Sequence, residues 1–559
     1  MPRPSPQTKT GRKRNSRIKA RKAPRFPDLP KVEPATLKAL IEYVTGDDPG
    51  QFDLSWAPNV FGICAYLLSK SGGYIELVRS WPSKLCKDYL NEVERIGEEW
   101  NQPSLLGPVP TEVARWWEKL LEFGDEPFEA CSRKRDICDL ILLLGSTADE
   151  ACAGIGIPDP TQHDQIADRD LWASYLLQDA GTLSPNLRKE ICRVFPKSHT
   201  PQSGITIRSL SHNLSFIWGN DVVPVWNHNP RLAPKNKREK PSLNLLLIPF
   251  PFKVSADDFR ESDAKPLGTM DDSFGFFEYV SQATNRSVNR EIIPILKKAK
   301  AIIGRVDGVI LPELALTETT FDRLQTAVRN EFPQAFLAAG LGTKGSTTSF
   351  ARNFLRVAQP KIADFYAVHD QAKHHRWKLT ESQIRQYDLC HRLDPYTQWW
   401  EAIDVENRRL HFFAAEPWLT MCFLICEDLA RQDPVAQAVR AIGPNLIVSL
   451  LMDGPQLSGR WANRYATVFA DDPGSSVLSM TSLGMAMRSR PPQGMAPSRV
   501  VALWKEPDKP SQEITLESDS NALVLAINQK YVSEWTADGR ADGQATGTLS
   551  LGGVHQVRT

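Results

Sequence analysis

The feature that most constrains this chain is a change of texture near residue 242. From there onward short continuous apolar runs recur, at Leu243–Pro249, Gly308–Leu311, Ala335–Leu341, Trp418–Ile425, Leu446–Met452, Val477–Met480 and Ala522–Ile527. Each has the length of a strand buried on both faces. Helical patterns lie between several of them, at Asn289–Ile303, Phe321–Glu331 and Pro434–Ile442. Buried strands alternating with helices predict an α/β domain over residues 242–559.

The preceding chain reads differently. Over residues 31–200 apolar side chains recur at three- and four-residue spacing, in Ala35–Val44, Pro58–Leu68, Leu85–Trp100, Glu112–Phe123, Phe128–Leu144 and Leu171–Leu177. That spacing predicts an independent all-α domain, with no motif in it that carries chemistry. Its tryptophans (Trp56, Trp81, Trp100, Trp116, Trp117, Trp172) read as core more readily than as a stacking surface. Cys131 and Cys138 share a helix face with no partner pair, so they read as packing rather than a metal site. Residues 201–241 are rich in Pro, Asn, His and Lys and read as a linker.

Residues 1–30 form a basic tail. Up to Arg25 it holds ten Lys or Arg and no acid, leaving 57 basic against 66 acidic residues in the remainder. It has too little apolar surface to offset its chain entropy, which predicts disorder. Its charge suits phosphate contact, so nucleic acid is one candidate partner; a solvated leader is the plainer reading, and a transit peptide the third.

At 559 residues more than one domain is expected. No apolar run reaches the roughly 20 residues needed to span a bilayer, and no signal-peptide pattern is visible. The nine cysteines are scattered without a CxxC pair. This points to reduced thiols in a cytoplasm, and away from disulfides or structural zinc.

Strand ends are where an α/β domain gathers its chemistry. One run ends Val309-Ile310-Leu311-Pro312-Glu313, placing a carboxylate at the sheet rim. Another, Cys422-Phe423-Leu424-Ile425, enters Cys426-Glu427-Asp428, where a thiol on a tight strand-to-helix turn has backbone N–H groups nearby. Between them the basic segment Gln371–Lys378 follows the apolar Phe365–Val368.

These residues resemble the nitrilase, or carbon–nitrogen hydrolase, superfamily over about 242–530. Its first motif matches Asp307–Glu313, and its third matches Phe423–Asp428. The resemblance implies an α-β-β-α sandwich and a Glu–Lys–Cys triad of Glu313, Lys373 and Cys426, with Lys378 the alternative lysine. It implies a second glutamate, Glu381 or Glu401, an insertion at Leu379–Tyr396, and no cofactor or metal. Glu313 would act as general base and then general acid, with Cys426 as the nucleophile of a thioester pathway. Lys373 and the backbone N–H of Glu427 would hold the oxyanion. The substrate would be a small-molecule amide or nitrile. The resemblance also implies a homodimer or larger homo-oligomer, paired through the helices that follow the Glu and Cys strands.

Asp453 and the Arg460-Trp461 pair are expected at the pocket mouth, where Arg460 or Arg464 would suit a ligand carboxylate or phosphate. Similar domains fused to other modules in bacterial antiviral defence suggest the alternative of a signalling or nucleic-acid-associated scaffold. Two further patterns lead elsewhere. Phe469-Ala470-Asp471-Asp472 resembles the metal-holding signature of reverse transcriptases, but it ends a helical pattern and reads as a turn. Gly340–Ser346 lacks the order of a phosphate loop and reads as a loop near the active site.

Overall fold

The computed structural model describes residues 35–76, 83–101, 108–157, 168–228, 242–263, 273–346, 349–360, 366–405, 408–491 and 495–559. The basic tail, Trp81 and the end of the expected linker, 229–241, lie outside these residues.

The N-terminal region is helical as its periodicity predicts, with Leu37–Thr45, Ala57–Ser71, Ser83–Trp100, Thr111–Glu122 and Asp168–Asp179 as its main helices. The expected Phe128–Leu144 helix is broken. Lys134 is extended (φ −96°, ψ 109°), leaving a turn at Ala130–Arg133 and a longer helix at Arg135–Glu150. The helix Ala57–Ser71 is buried throughout from Ala57 to Leu68, so it is the centre of the region rather than an amphipathic surface element. Trp100, Trp116 and Trp117 are core residues, whereas Trp172 is exposed and stacks on Tyr175.

Two expectations are corrected. Residues 201–228 are not a linker. Leu214–Trp218 pairs antiparallel with Cys192–Pro196, and Val223–His228 pairs in parallel with Arg409–Glu416. The polar residues that suggested a linker are bonded inside the structure. Asp149 accepts the backbone N–H groups of His212, Asn213 and Leu214 at 2.7, 2.9 and 2.8 Å. Nor is the helical region an independent domain, because its apolar residues are continuous with the core of the sheets behind them.

The sheet region contains two seven-stranded sheets. The first runs in the order Tyr366–Ala372, Asn353–Pro360, Phe336–Gly342, Gly308–Leu316, Ser242–Leu247, Ala522–Val532, Thr546–Val557. The second runs Gln512–Thr515, Val500–Lys505, Ser476–Thr481, Leu446–Leu451, Leu419–Ile425, Arg409–Glu416, Val223–His228. Side chains alternate across the first sheet as strand geometry requires. Leu246, Val309, Leu311, Leu337 and Ala339 pack with the helices Ile293–Ile303 and Glu318–Glu331. Leu245, Ile310, Phe336 and Ala338 face the second sheet, where the Phe336 and Phe423 rings meet at 6.2 Å. The continuous apolar runs of the sequence are therefore strands buried on both faces.

A separate four-stranded sheet lies at the site end, in the order Lys378–Leu379, Gln398–Glu401, Phe274–Tyr279, Phe259–Glu261. The expected insertion Leu379–Tyr396 gives it Leu379 and otherwise carries the helix Glu381–Gln386, whose Ile384 joins the same core, and Trp399 packs into that core against Gly275. The helix Gln437–Ile442 after the Cys strand, one of the faces expected to pair subunits, packs against Leu214–Trp218, and Ser198 N–H donates to the Ile442 carbonyl at 2.9 Å. Gly340–Gly342, expected in a loop, belongs to the strand Phe336–Gly342. Asp471 and Asp472 end the helix Trp461–Asp471 ahead of the strand Ser476–Thr481.

Candidate active site

Glu313 does not simply follow its strand. The Gly308–Leu316 strand slips register against its neighbour between Leu311 and Leu316, and Leu314 has φ +54°. This bulge re-aims Glu313. It needs a glycine opposite, since a Cβ on Gly340 would lie 2.4 Å from the Glu313 Cα and 2.6 Å from the Leu314 nitrogen. The Leu419–Ile425 strand ends at Cys426, which has φ +45° and opens the helical turn Cys426–Ala430. Left-handed backbone at a non-glycine residue costs about 1–3 kcal/mol and persists only where the surroundings impose it.

Lys373 follows the edge strand Tyr366–Ala372. Its position is fixed across the two sheets. Gln371 donates to the Phe423 carbonyl at 2.8 Å and accepts from the His411 N–H at 2.9 Å. Asp428, fully buried, accepts the His374 N–H at 3.1 Å and pairs with His375 Nδ1 at 2.9 Å. The lysine segment and the cysteine turn are thus tied together by Asp428.

The Lys373 ammonium meets Glu313 Oε1 at 2.9 Å and Glu401 Oε2 at 2.6 Å, with all three side chains buried. Between the alternatives left open by the sequence, the structure brings Lys373 and Glu401 to this cluster. Lys378 is exposed over the Trp400 ring, and Glu381 pairs with Arg385 on the surface. A residue that sequence reading missed completes the group. Asn353 Nδ2 donates to both Glu313 Oε1 and Glu401 Oε1, each at 2.7 Å. Trp377 N–H adds a third donor to Glu401, on Oε2 at 3.0 Å. Both Glu401 oxygens are therefore occupied. Glu313 Oε2 is buried and has no hydrogen-bond partner.

Burial raises the proton affinity of Glu313; Lys373 opposes that and Glu401 adds to it. Burial also disfavours the charge of Lys373, but Glu313, Glu401 and Cys426 outweigh it and keep the ammonium protonated. The Cys426 thiol is pushed well above its ordinary value by burial and by the Glu313 charge, against the pull of Lys373. A buried thiol of raised proton affinity reacts only if its proton has an acceptor.

The other expected site residues have partners of their own. The Glu427 side chain pairs with Arg431 at 3.0 Å. Asp453 accepts from Arg460 at 2.7 Å, from Trp461 Nε1 at 2.9 Å and from the Tyr387 hydroxyl. Arg460, expected to suit a ligand anion, is engaged by Asp453 through Nη2, whereas Arg464 is exposed.

No family model and no curated protein matches the chain. Among solved structures, about half of it is distantly similar to carbon–nitrogen hydrolases. An amidase from Nesterenkonia sp. is 13% identical, with 51% of this chain and 89% of that one covered at a TM-score of 0.30. A carbon–nitrogen hydrolase from Helicobacter pylori G27 is 10% identical, with 51% and 89% covered at 0.31. Nit3 of Saccharomyces cerevisiae, a member of branch 10 of the nitrilase superfamily, is 10% identical, with 58% and 93% covered at 0.30. Likeness this faint carries no weight for activity.

Proposed function

We propose that the chain is a carbon–nitrogen hydrolase, built on a nitrilase-type α-β-β-α sandwich, that cleaves a small amide or nitrile through a cysteine thioester. The observation that carries this reading is the free Glu313 Oε2, in a cluster where every other glutamate oxygen already has a donor and whose charges act on the buried Cys426 thiol. For an amide, the thiol gives its proton to Glu313 Oε2 as the sulfur–carbon bond forms. The carbonyl electrons move to oxygen, which is held by the Lys373 ammonium and the backbone N–H of Glu427. Collapse breaks the carbon–nitrogen bond, and the Glu313 proton leaves with the amine. Water then gives its proton to Glu313 and attacks the thioester, releasing the acid and restoring the thiol.

Glu401 serves as the fixed counter-charge to Lys373, not as a second base. Turnover of a panel of aliphatic and aromatic amides and nitriles tests the reading. Cys426→Ala is expected to abolish turnover, and Glu313→Gln to reduce it by at least about a hundredfold, the scale of general acid–base catalysis. Turnover by Cys426→Ala at the wild-type rate rejects it.

A further inference from the structure

We propose that Asn353 is a positioning residue for this site, donating one N–H to each glutamate and thereby leaving Glu313 Oε2 as the free oxygen that accepts the thiol proton. The inference rests on the hydrolase reading above. Asn353 is 1% exposed, and its own backbone carbonyl accepts the Lys373 N–H at 2.9 Å, so it is fixed to the lysine it serves. Its carboxamide supplies one N–H to each glutamate. The reversed amide would set its carbonyl oxygen at 2.7 Å from two acceptors, which is tolerable only if those carboxyls were protonated. Asn353 Oδ1 has no hydrogen-bond partner, so the side chain is held by its donors alone.

Lys373 and Asn353 together hold Glu313 by a single oxygen. That leaves Oε2 as the acceptor for the Cys426 proton. The titratable and charged groups facing the site are Lys373, Glu401 and Cys426 around Glu313, Glu427 and Asp453 toward Cys426, and Arg376 toward Glu401. Lys373 is the cation to which both glutamates are hydrogen-bonded, so a further carboxylate in place of Asn353 would compete for it.

The test needs no substrate. Full-length protein is alkylated with iodoacetamide across a pH series, and the Cys426 peptide is quantified by mass spectrometry. The sulfur–carbon bond forms as iodide leaves, and the thiol proton passes to Glu313 and then to solvent. Asn353→Asp, nearly isosteric, removes both N–H donors and adds a negative charge. It is expected to slow Cys426 labelling about tenfold at pH 7 and to displace the rate–pH profile upward by about one unit. Asn353→Ser, which adds no charge, is expected to displace it in the same direction by less, and it serves if the aspartate variant does not fold. A general loss of packing would not move the profile. Selective wild-type labelling whose rate and profile are unchanged in a folded Asn353 variant overturns the inference alone. Wild-type Cys426 reacting no faster than buried Cys64 or Cys422 overturns the nucleophile reading, and the inference with it.

Discussion

Glu313 and Glu401 have similar burial and share Lys373 and Asn353, yet only Glu313 keeps an oxygen without a donor. Side-chain identity alone would not separate them; the hydrogen-bond accounting does. Glu416 shows the same physics with weaker opposition. It is buried, Oε1 has no hydrogen-bond partner, and burial pushes its carboxyl to about 8, with Arg305 only partly opposing. A carboxyl raised in the folded state stabilises the fold at low pH, and that contribution is lost as pH rises through about 8. The Glu416→Gln variant should therefore melt about 2–4 °C above wild type at pH 9 and close to wild type at pH 5, measured by thermal unfolding.

At the level of elements, the bulge in Gly308–Leu316 and the glycine beneath it set the geometry of the base. Gly340→Ala would press a methyl against the Glu313 and Leu314 backbone. It should cost about 2–3 kcal/mol in denaturant unfolding and at least about tenfold in turnover, as overpacking against backbone has no soft atom to yield. Gly308→Ala, whose Cβ would meet the Phe336 ring instead, should lose stability with turnover largely kept. Much of this level was legible in the sequence. The apolar runs marked the strands, and Cys426 directly follows one, whereas Glu313 lies within the strand Gly308–Leu316, at its bulge. Asn353 was not legible. It opens the strand Asn353–Pro360 with no motif of its own, and only the fold brings it to the glutamates. Nor could spacing choose Glu401 over Glu381. The choice follows from strand alternation, which turns Trp399 and Glu401 inward and leaves Trp400 half-buried.

Across the whole molecule, the helical region is clamped to the loop between the last two strands. Arg540 is buried and pairs with Asp149 at 3.0 Å, Glu150 at 2.7 Å and Asp538 at 3.0 Å, and Asp538 also accepts from Tyr89 and Ser146. Nothing local in sequence announces a contact spanning nearly four hundred positions, which is why the region reads as independent from its periodicity. Arg540→Ala would leave buried carboxylates unpaired and should cost about 3–5 kcal/mol. Hydrogen exchange should then show the helix Arg135–Glu150 losing protection before the central strands; equal loss in both would contradict a local clamp. The polar composition of residues 201–228 suggests exposure for a related reason, since it does not show that Asp149 binds three backbone N–H groups there.

The central claim is that Cys426 carries a covalent acyl intermediate. The most direct measurement is acid-quenched mass spectrometry of the protein mixed with hydrolysable amides. The account predicts a hydroxylamine-labile acyl group on the Cys426 peptide, absent from Cys426→Ala and accumulating more slowly in Glu313→Gln. Continued turnover by Cys426→Ala, or an acyl group that maps to another cysteine, would contradict it.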